Sequence, residues 1–236
     1  MTQQHFIDQL QDLLLQVVNE TTLVAATLAQ QTSQIVAQHR EVDPKGLKLS
    51  SVERLALQHA IQAALKKSHF SQGMGFASYC AGTQDQQDYW TLEWWYKKAN
   101  QLQQAKLENY QNAQRFLDFR SFEWFHEPEQ NQQPCIHGPY VDYICNGAYT
   151  ITSAHPVLVN GQFIGVIAID LLVSALEKIL MPCLKKIQQK AVIINDQARV
   201  ITSNDVTIRT GTLLKSAVID PQATPAQCPF QLVMLP

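Results

Sequence analysis

The sequence predicts an α+β fold: long helices first, then a largely antiparallel sheet, a crossing helix and a small second sheet. Three observations predict it. Apolar residues recur three or four apart over residues 5 to 38 with no Pro or Gly between them. Beyond Gly73 and Gly75 the period shortens toward strand alternation. Between residues 139 and 170, apolar runs flank Asn160-Gly161, the dipeptide that a two-residue hairpin needs.

The first helix carries Phe6, Leu10, Leu14, Val17, Val18, Val24, Leu28 and Ile35 on one side. Its length of roughly 50 Å, at 1.5 Å per residue, exceeds what a small sheet covers. Part of it must pack on another element or on a second copy, and a homodimer through this helix is the expected assembly. Asp43-Pro44-Lys45-Gly46 interrupts the pattern. Ser50 and Glu53 then have capping-box spacing and open a second helix through Leu55, Ile61 and Leu65 to Lys67.

GFASYC and TLEWWY read as strands joined by a polar turn, residues 97–111 as helix, and residues 114–125 alternate apolar with polar for much of their length. The strands on either side of Asn160-Gly161 follow. Ser174 and Glu177 repeat the capping-box spacing and start a helix that bends near Pro182. AVIIND and RVITSN form a second hairpin, and FQLVML ends the chain as a short strand.

Composition excludes several classes of function. At 236 residues the chain can bury one large core or two modest ones. A net charge of −2, without any run of basic residues, excludes a nucleic-acid surface. No stretch approaches the roughly 18 apolar residues of a membrane helix, and the N-terminus lacks the features of a secretory signal. A cytoplasmic protein is therefore expected, although a piece trimmed of its anchors, and so periplasmic, would read the same. Five cysteines without CxxC spacing fit reduced thiols better than a disulfide framework. Cys135 and His137 are close, with Cys80, Cys145, His126 and His155 elsewhere, but no spacing matches a zinc site. There is no GxSxG, Walker or GxGxxG motif. Neither an enzyme nor a cofactor is expected.

The candidate ligand groups are acidic and aromatic. Asp170 ends the strand FIGVIAID and reads either as a helix cap or as a ligand contact. The cap at Ser174 weighs against the first reading. Tyr140 and Asp142 share a strand face, where they would grip an ammonium group or simply serve a surface turn. Glu93 and Trp95 share a face and are the pocket candidates of the TLEWWY strand, with Trp94 on the other face as core.

Residues 124 to 170, and more loosely the whole chain, resemble a Cache domain, the PAS-like extracellular sensor module of bacterial chemoreceptors and kinases. The order of parts is similar: long helix, sheet, GVIAID strand, linking helix and a second module, here reduced. The resemblance implies a helical region at 1–70, a ligand-binding module at 71–190 with a PAS-like antiparallel sheet, and a small β module at 191–236. In the amino-acid-sensing branch, a tryptophan corresponding to Trp124, a Tyr-x-Asp corresponding to Tyr140 and Asp142, and a final aspartate corresponding to Asp170 hold the ligand. The family arginine position is Phe122 here and the tyrosine after the tryptophan is Phe125; Arg120 is the substitute expected for the arginine. The resemblance implies a sensor for a small amine-bearing metabolite: a polyamine, a quaternary amine or an amino-acid-like compound. Two other classes stand beside it. One is a structural or partner-binding dimer with a vestigial pocket, the other an amine-metabolising enzyme without a visible nucleophile–base pair.

Overall fold

The long apolar stripe does become one helix. In the computed structural model, which describes residues 2–37, 46–82, 84, 88–99, 101–105, 118–143, 147–215 and 228–235, helix α1 spans Gln3–Ala37. Helix α2 (Ser51–Lys67) opens on the capping box read from sequence: the Ser50 hydroxyl accepts from the Glu53 N–H, and the Glu53 carboxylate accepts from the Ser50 N–H. The break at Asp43-Pro44-Lys45 lies outside the described residues.

The strands are β1 (Gly73–Cys80), β2 (Tyr89–Lys98), β3 (Gln101–Gln104), β4 (Cys135–Val141), β5 (Tyr149–Val159) and β6 (Gln162–Leu172). They form a six-stranded sheet in the order β3-β2-β1-β6-β5-β4. A second sheet joins β7 (Lys190–Ile194), β8 (Val200–Ser203) and β9 (Gln231–Leu235) in the order β8-β7-β9. Helices α3 (Glu123–Asn131) and α4 (Val173–Leu184) complete an α+β fold consistent with the PAS-like expectation.

The chain divides into two compact units, each assembled from separated segments. One contains residues 21–137 and 152–170. Its core gathers Ala25, Leu28 and Val36 of α1, Leu57, Ile61 and Leu65 of α2, and Met74, Phe76, Ile167 and Ile169 of the sheet. The other contains residues 1–20, 138–151 and 171–236. There Leu10, Leu14 and Val17 are buried, and a small cluster of Val192, Ile194, Val200 and Val233 fills the three-stranded sheet. Among the described residues, no helix is long and apolar enough to cross a membrane.

Local readings fared unevenly. Asn160 and Gly161 take φ of 52° and 78°, as a type I′ turn requires. The helix expected at 97–111 is not there over the described part. Lys97 and Lys98 end β2, and Gln101–Gln104 is a strand paired to it, with Trp95 opposite Gln104. A free backbone edge on β2 overrides the weak helical preference of glutamine-rich sequence. Residues 114–117 lie outside the described residues. Beyond them the alternating segment is helical: Phe119–Ser121 forms a 3₁₀ turn and α3 follows. The capping box at Ser174 does not form. The N-cap of α4 is Leu172, without a side-chain cap, and Glu177 instead accepts from the Thr202 hydroxyl at 3.0 Å.

Candidate functional site

The register of β1 between its neighbours sorts the candidate residues by face. Gly73, Gly75 and Ala77 stand opposite Tyr96, Trp94 and Leu92 on one side, and opposite Asp170, Ala168 and Val166 on the other. Directly opposed residues of antiparallel strands share a face, so all nine belong to one surface of the sheet. Met74, Phe76, Glu93, Trp95, Ile167 and Ile169 belong to the other, which is covered by α1 and α2.

Glu93 and Trp95, the pocket candidates of the TLEWWY strand, lie on the face covered by α1 and α2, away from Asp170. Glu93 is 1% exposed and forms an ion pair with Arg54 of α2. It also accepts from Gln58 at 2.8 Å and from Gln104 at 3.3 Å, while Arg54 donates to the Tyr89 hydroxyl at 2.9 Å. Trp95 packs on the α1–α2 core. The carboxylate that looked like a ligand group joins α2 to the sheet.

Asp170 lies inside β6, two residues before the strand ends, so it cannot cap α4. It is buried, and its Oδ1 accepts from the Thr152 hydroxyl at 2.7 Å. Thr152 was not singled out from the sequence, and Trp94 was assigned there to the core. The indole of Trp94 lies flat across β1. A Cβ built on Gly75 would come within 2.7 Å of Trp94 Cε3, and one on Gly73 within 3.1 Å of Cζ2 and Nε1. The two glycines therefore make room for the ring, and its far edge reaches the position directly opposite Asp170. The available signal was Gly-x-Gly inside a strand, which marks a close approach by another group.

Farther along this face an apolar cluster joins Ala77, Val166 and Ala154 to Phe119, Phe125, Trp124, Phe122 and Phe163. Gly165 makes that arrangement fit. Its φ of +154° shifts the alternation by one, so that Phe163 and Val166 face the same cluster, and a Cβ there would lie 2.4 Å from the Ala77 carbonyl oxygen. Trp124 packs at 6.1 Å from both Phe119 and Phe125. Phe122, at the family arginine position, is the N-cap residue of α3.

Arg120 belongs to the 3₁₀ turn rather than a strand. Its guanidinium donates to both oxygens of Asp118, at 2.9 and 2.8 Å, and lies over the rings of Tyr79 and Trp90 at 4.2 and 4.4 Å. These hydrogen bonds hold the Asp118 carboxyl below its ordinary range. The bidentate edge of the guanidinium is thus turned to Asp118, and its flat faces to aromatic rings.

Tyr140 and Asp142 belong to the other unit. Tyr140 lies on β4, whose Gly138 carbonyl accepts from Asn195 Nδ2 at 2.8 Å. Asp142 follows the strand and is buried; its N–H donates to Ala148 O at 3.0 Å and its carbonyl accepts from Gly147 N at 2.7 Å. Cys145 lies outside the described residues. In the apolar cluster on the Asp170 face, burial pushes the Cys135 thiol up to about 12, with the Glu127 carboxylate adding to the effect.

Comparison with known proteins bears on the fold. Residues 95–178 match the family model described as methyl-accepting chemotaxis protein-like, first PDC sensor domain. No curated protein matches the chain in sequence. Among solved structures, the chain is similar to the ligand-binding domain of the Pseudomonas aeruginosa amino acid chemoreceptor PctC in complex with GABA. That likeness has 12% identity, covers 98% of this chain and 96% of that one, and has a TM-score of 0.58. A structure titled methyl-accepting chemotaxis protein X shows 14% identity, 93% and 96% coverage and a TM-score of 0.57. The extracellular domain of mmHK1S-Z3 shows 12% identity and a TM-score of 0.56, covering 79% of this chain; the match spans 64% of that domain's length. These findings correct the expectation of a cytoplasmic protein, because the fold is shared with a domain that is extracellular. The features that suggested the cytoplasm, namely unpaired thiols and no leader within these residues, say nothing about where a sensor module is displayed. Over residues 95–178 the chain carries the signature of the first PDC sensor domain of methyl-accepting chemotaxis-like proteins, on the PDC (Cache) fold of chemoreceptor ligand-binding domains.

Proposed function

We propose that this chain is a ligand-binding sensor module, rather than an enzyme, and that it recognises a small amine-bearing metabolite. The observation that carries this reading is Asp170: a buried carboxylate on the sheet face turned away from α1 and α2, oriented by Thr152, with the indole edge of Trp94 reaching the position opposite it. A carboxylate accepts charge-assisted hydrogen bonds from an ammonium group, and aromatic rings stabilise the same cation. Trp124 lines the same face. Tyr140 and Asp142, in the other unit, are ligand candidates through the resemblance to the amino-acid-sensing pattern alone. PctC, which shares the fold, was solved with GABA, a compound that bears a primary amine. With Phe122 at the arginine position and Arg120 engaged by Asp118, recognition of a ligand carboxylate is the weaker half of the site. Amines without a carboxylate are therefore included among the ligands.

Titration calorimetry across polyamines, quaternary amines, amino acids and 4-aminobutyrate, with dicarboxylates and sugars as controls, tests the reading. Saturable binding confined to amines is expected. Binding of dicarboxylates or sugars with silence from every amine would overturn it.

A further inference from the structure

We infer that Trp94 sets the size of the ligand head group accepted beside Asp170, confining it to a primary ammonium; this rests on the amine reading above. The residue that sequence pattern assigned to the core stands in the row of Gly75 and Ala168, and its ring reaches along β1 to Gly73, the position directly opposite Asp170. Gly75 and Gly73 carry no side chain, and the indole fills both vacancies. The partners of those glycines across β6 are Ala168 and Asp170. Opposed Cβ positions in an antiparallel pair are about 4.5–5.5 Å apart, so the Cζ2–Nε1 edge, which meets the Gly73 position, comes to the row that Asp170 occupies.

Little of the ring is open to change. Trp94 is 6% exposed, and Asp170 is equally buried. A Cβ built on Gly75 would lie 2.7 Å from Cε3 and one on Gly73 3.1 Å from Cζ2, so the indole already occupies the space of both missing side chains and has little room to retreat toward β1. On the Asp170 side a small N–H-bearing head meets an acceptor held in place by Thr152. Three methyl groups on the nitrogen remove the donors and add bulk against a ring that has nowhere to go. Trp95 has no part in this, since it packs on the α1–α2 core behind the sheet.

The test uses the whole chain and three variants in calorimetry, with primary amines paired with their N-trimethyl counterparts: ethanolamine with choline, and glycine and 4-aminobutyrate with their trimethyl derivatives. Trp94→Leu opens the space and raises the affinity for the trimethyl member, relative to the primary one, by about tenfold or more. Gly73→Ala adds a Cβ against the ring and shifts the ratio the other way. Trp95→Leu leaves the ratio where it was. If Trp94→Leu does not fold, Trp94→Phe replaces it with the same direction expected. An unchanged ratio in the Trp94 variant, or a shift in the Trp95 variant, overturns the inference. A parental chain that binds no primary member of these pairs also overturns it, while polyamine binding in the same experiment leaves the amine reading standing.

Discussion

The two faces of the large sheet each bury a carboxylate, and the two carboxylates are held in different ways. Behind the sheet, Glu93 meets a guanidinium and two amides contributed by α2 and β3. That is the arrangement of a structural ion pair: a buried charge is tolerated when it is matched and its remaining lone pairs are satisfied. On the other face, Asp170 is oriented by a hydroxyl and neighboured by an aromatic edge. Residue type did not separate the two, since each is an acidic residue within a largely apolar strand. Which face the helices cover is what separates them.

Breaking the ion pair should have the largest effect. Arg54→Ala leaves Glu93 charged and buried, and a loss of about 3 kcal/mol is expected, at the low end for a buried pair because Arg54 is partly exposed. Denaturant unfolding measures it, and a loss below about 1 kcal/mol would mean that Glu93 is not held as described. The opposite behaviour is expected at Asp170. Asp170→Asn keeps an acceptor for Thr152 but removes the charge, so amine affinity should fall about 30-fold or more. Its ligand-free melting temperature should stay within about 3 °C of the parent. A large loss of stability would instead make Asp170 a second structural carboxylate. Asp142→Asn should resemble Asp170→Asn rather than Arg54→Ala, by the same two measurements.

Smaller effects belong to the rim of the Asp170 face. Asp118 and Arg120 are both partly exposed, so Asp118→Asn should cost only about 0.5 kcal/mol at neutral pH. The sign with pH follows from the depressed carboxyl. Its contribution is present above the ordinary carboxylate range and lost as pH falls through the lower folded value. The gap in melting temperature between parent and variant should therefore close on acidification below that range, and a gap that widens would contradict the pairing. Cys135 gives the mildest readout. With its thiol pushed up to about 12 it stays protonated at pH 8, so iodoacetamide should modify it far more slowly than an unfolded-state control. Any stability it contributes is present below the ordinary thiol value and fades as pH rises from there toward about 12. Rapid alkylation in the folded chain would show that the cluster around it is open.

Much of the architecture could be read from the chain because local chemistry determines it. A 3.6-residue apolar period without Pro or Gly commits residues 3 to 37 to a helix, Ser50 and Glu53 can satisfy each other's backbone only at a helix start, and Asn160-Gly161 tolerates the positive φ of a hairpin. Signals of the same kind misled where another element competed. The Ser174 box lost to a helix that begins directly off β6, and the helix read at residues 97–111 lost Gln101–Gln104 to the open edge of β2. The site was legible as residue types but not as an arrangement. Alternation correctly set Trp95 with Glu93 and apart from Trp94, yet it carries no information about which face meets the helices.

The sequence by itself determined that this protein has a long amphipathic helix, an antiparallel sheet and acidic and aromatic groups in a sensor-like order, because periodicity, capping and turn chemistry act over a few residues. The tertiary structure alone decided that Glu93 is paired with Arg54 on one face of the sheet while Asp170 lies beside Thr152 on the other. That depends on strand register, on α2 bringing Arg54 beneath the sheet, and on two glycines that let Trp94 lie across β1 toward Asp170. These contacts join residues far apart in the chain, and beyond the Gly-x-Gly of β1 no local pattern points to them.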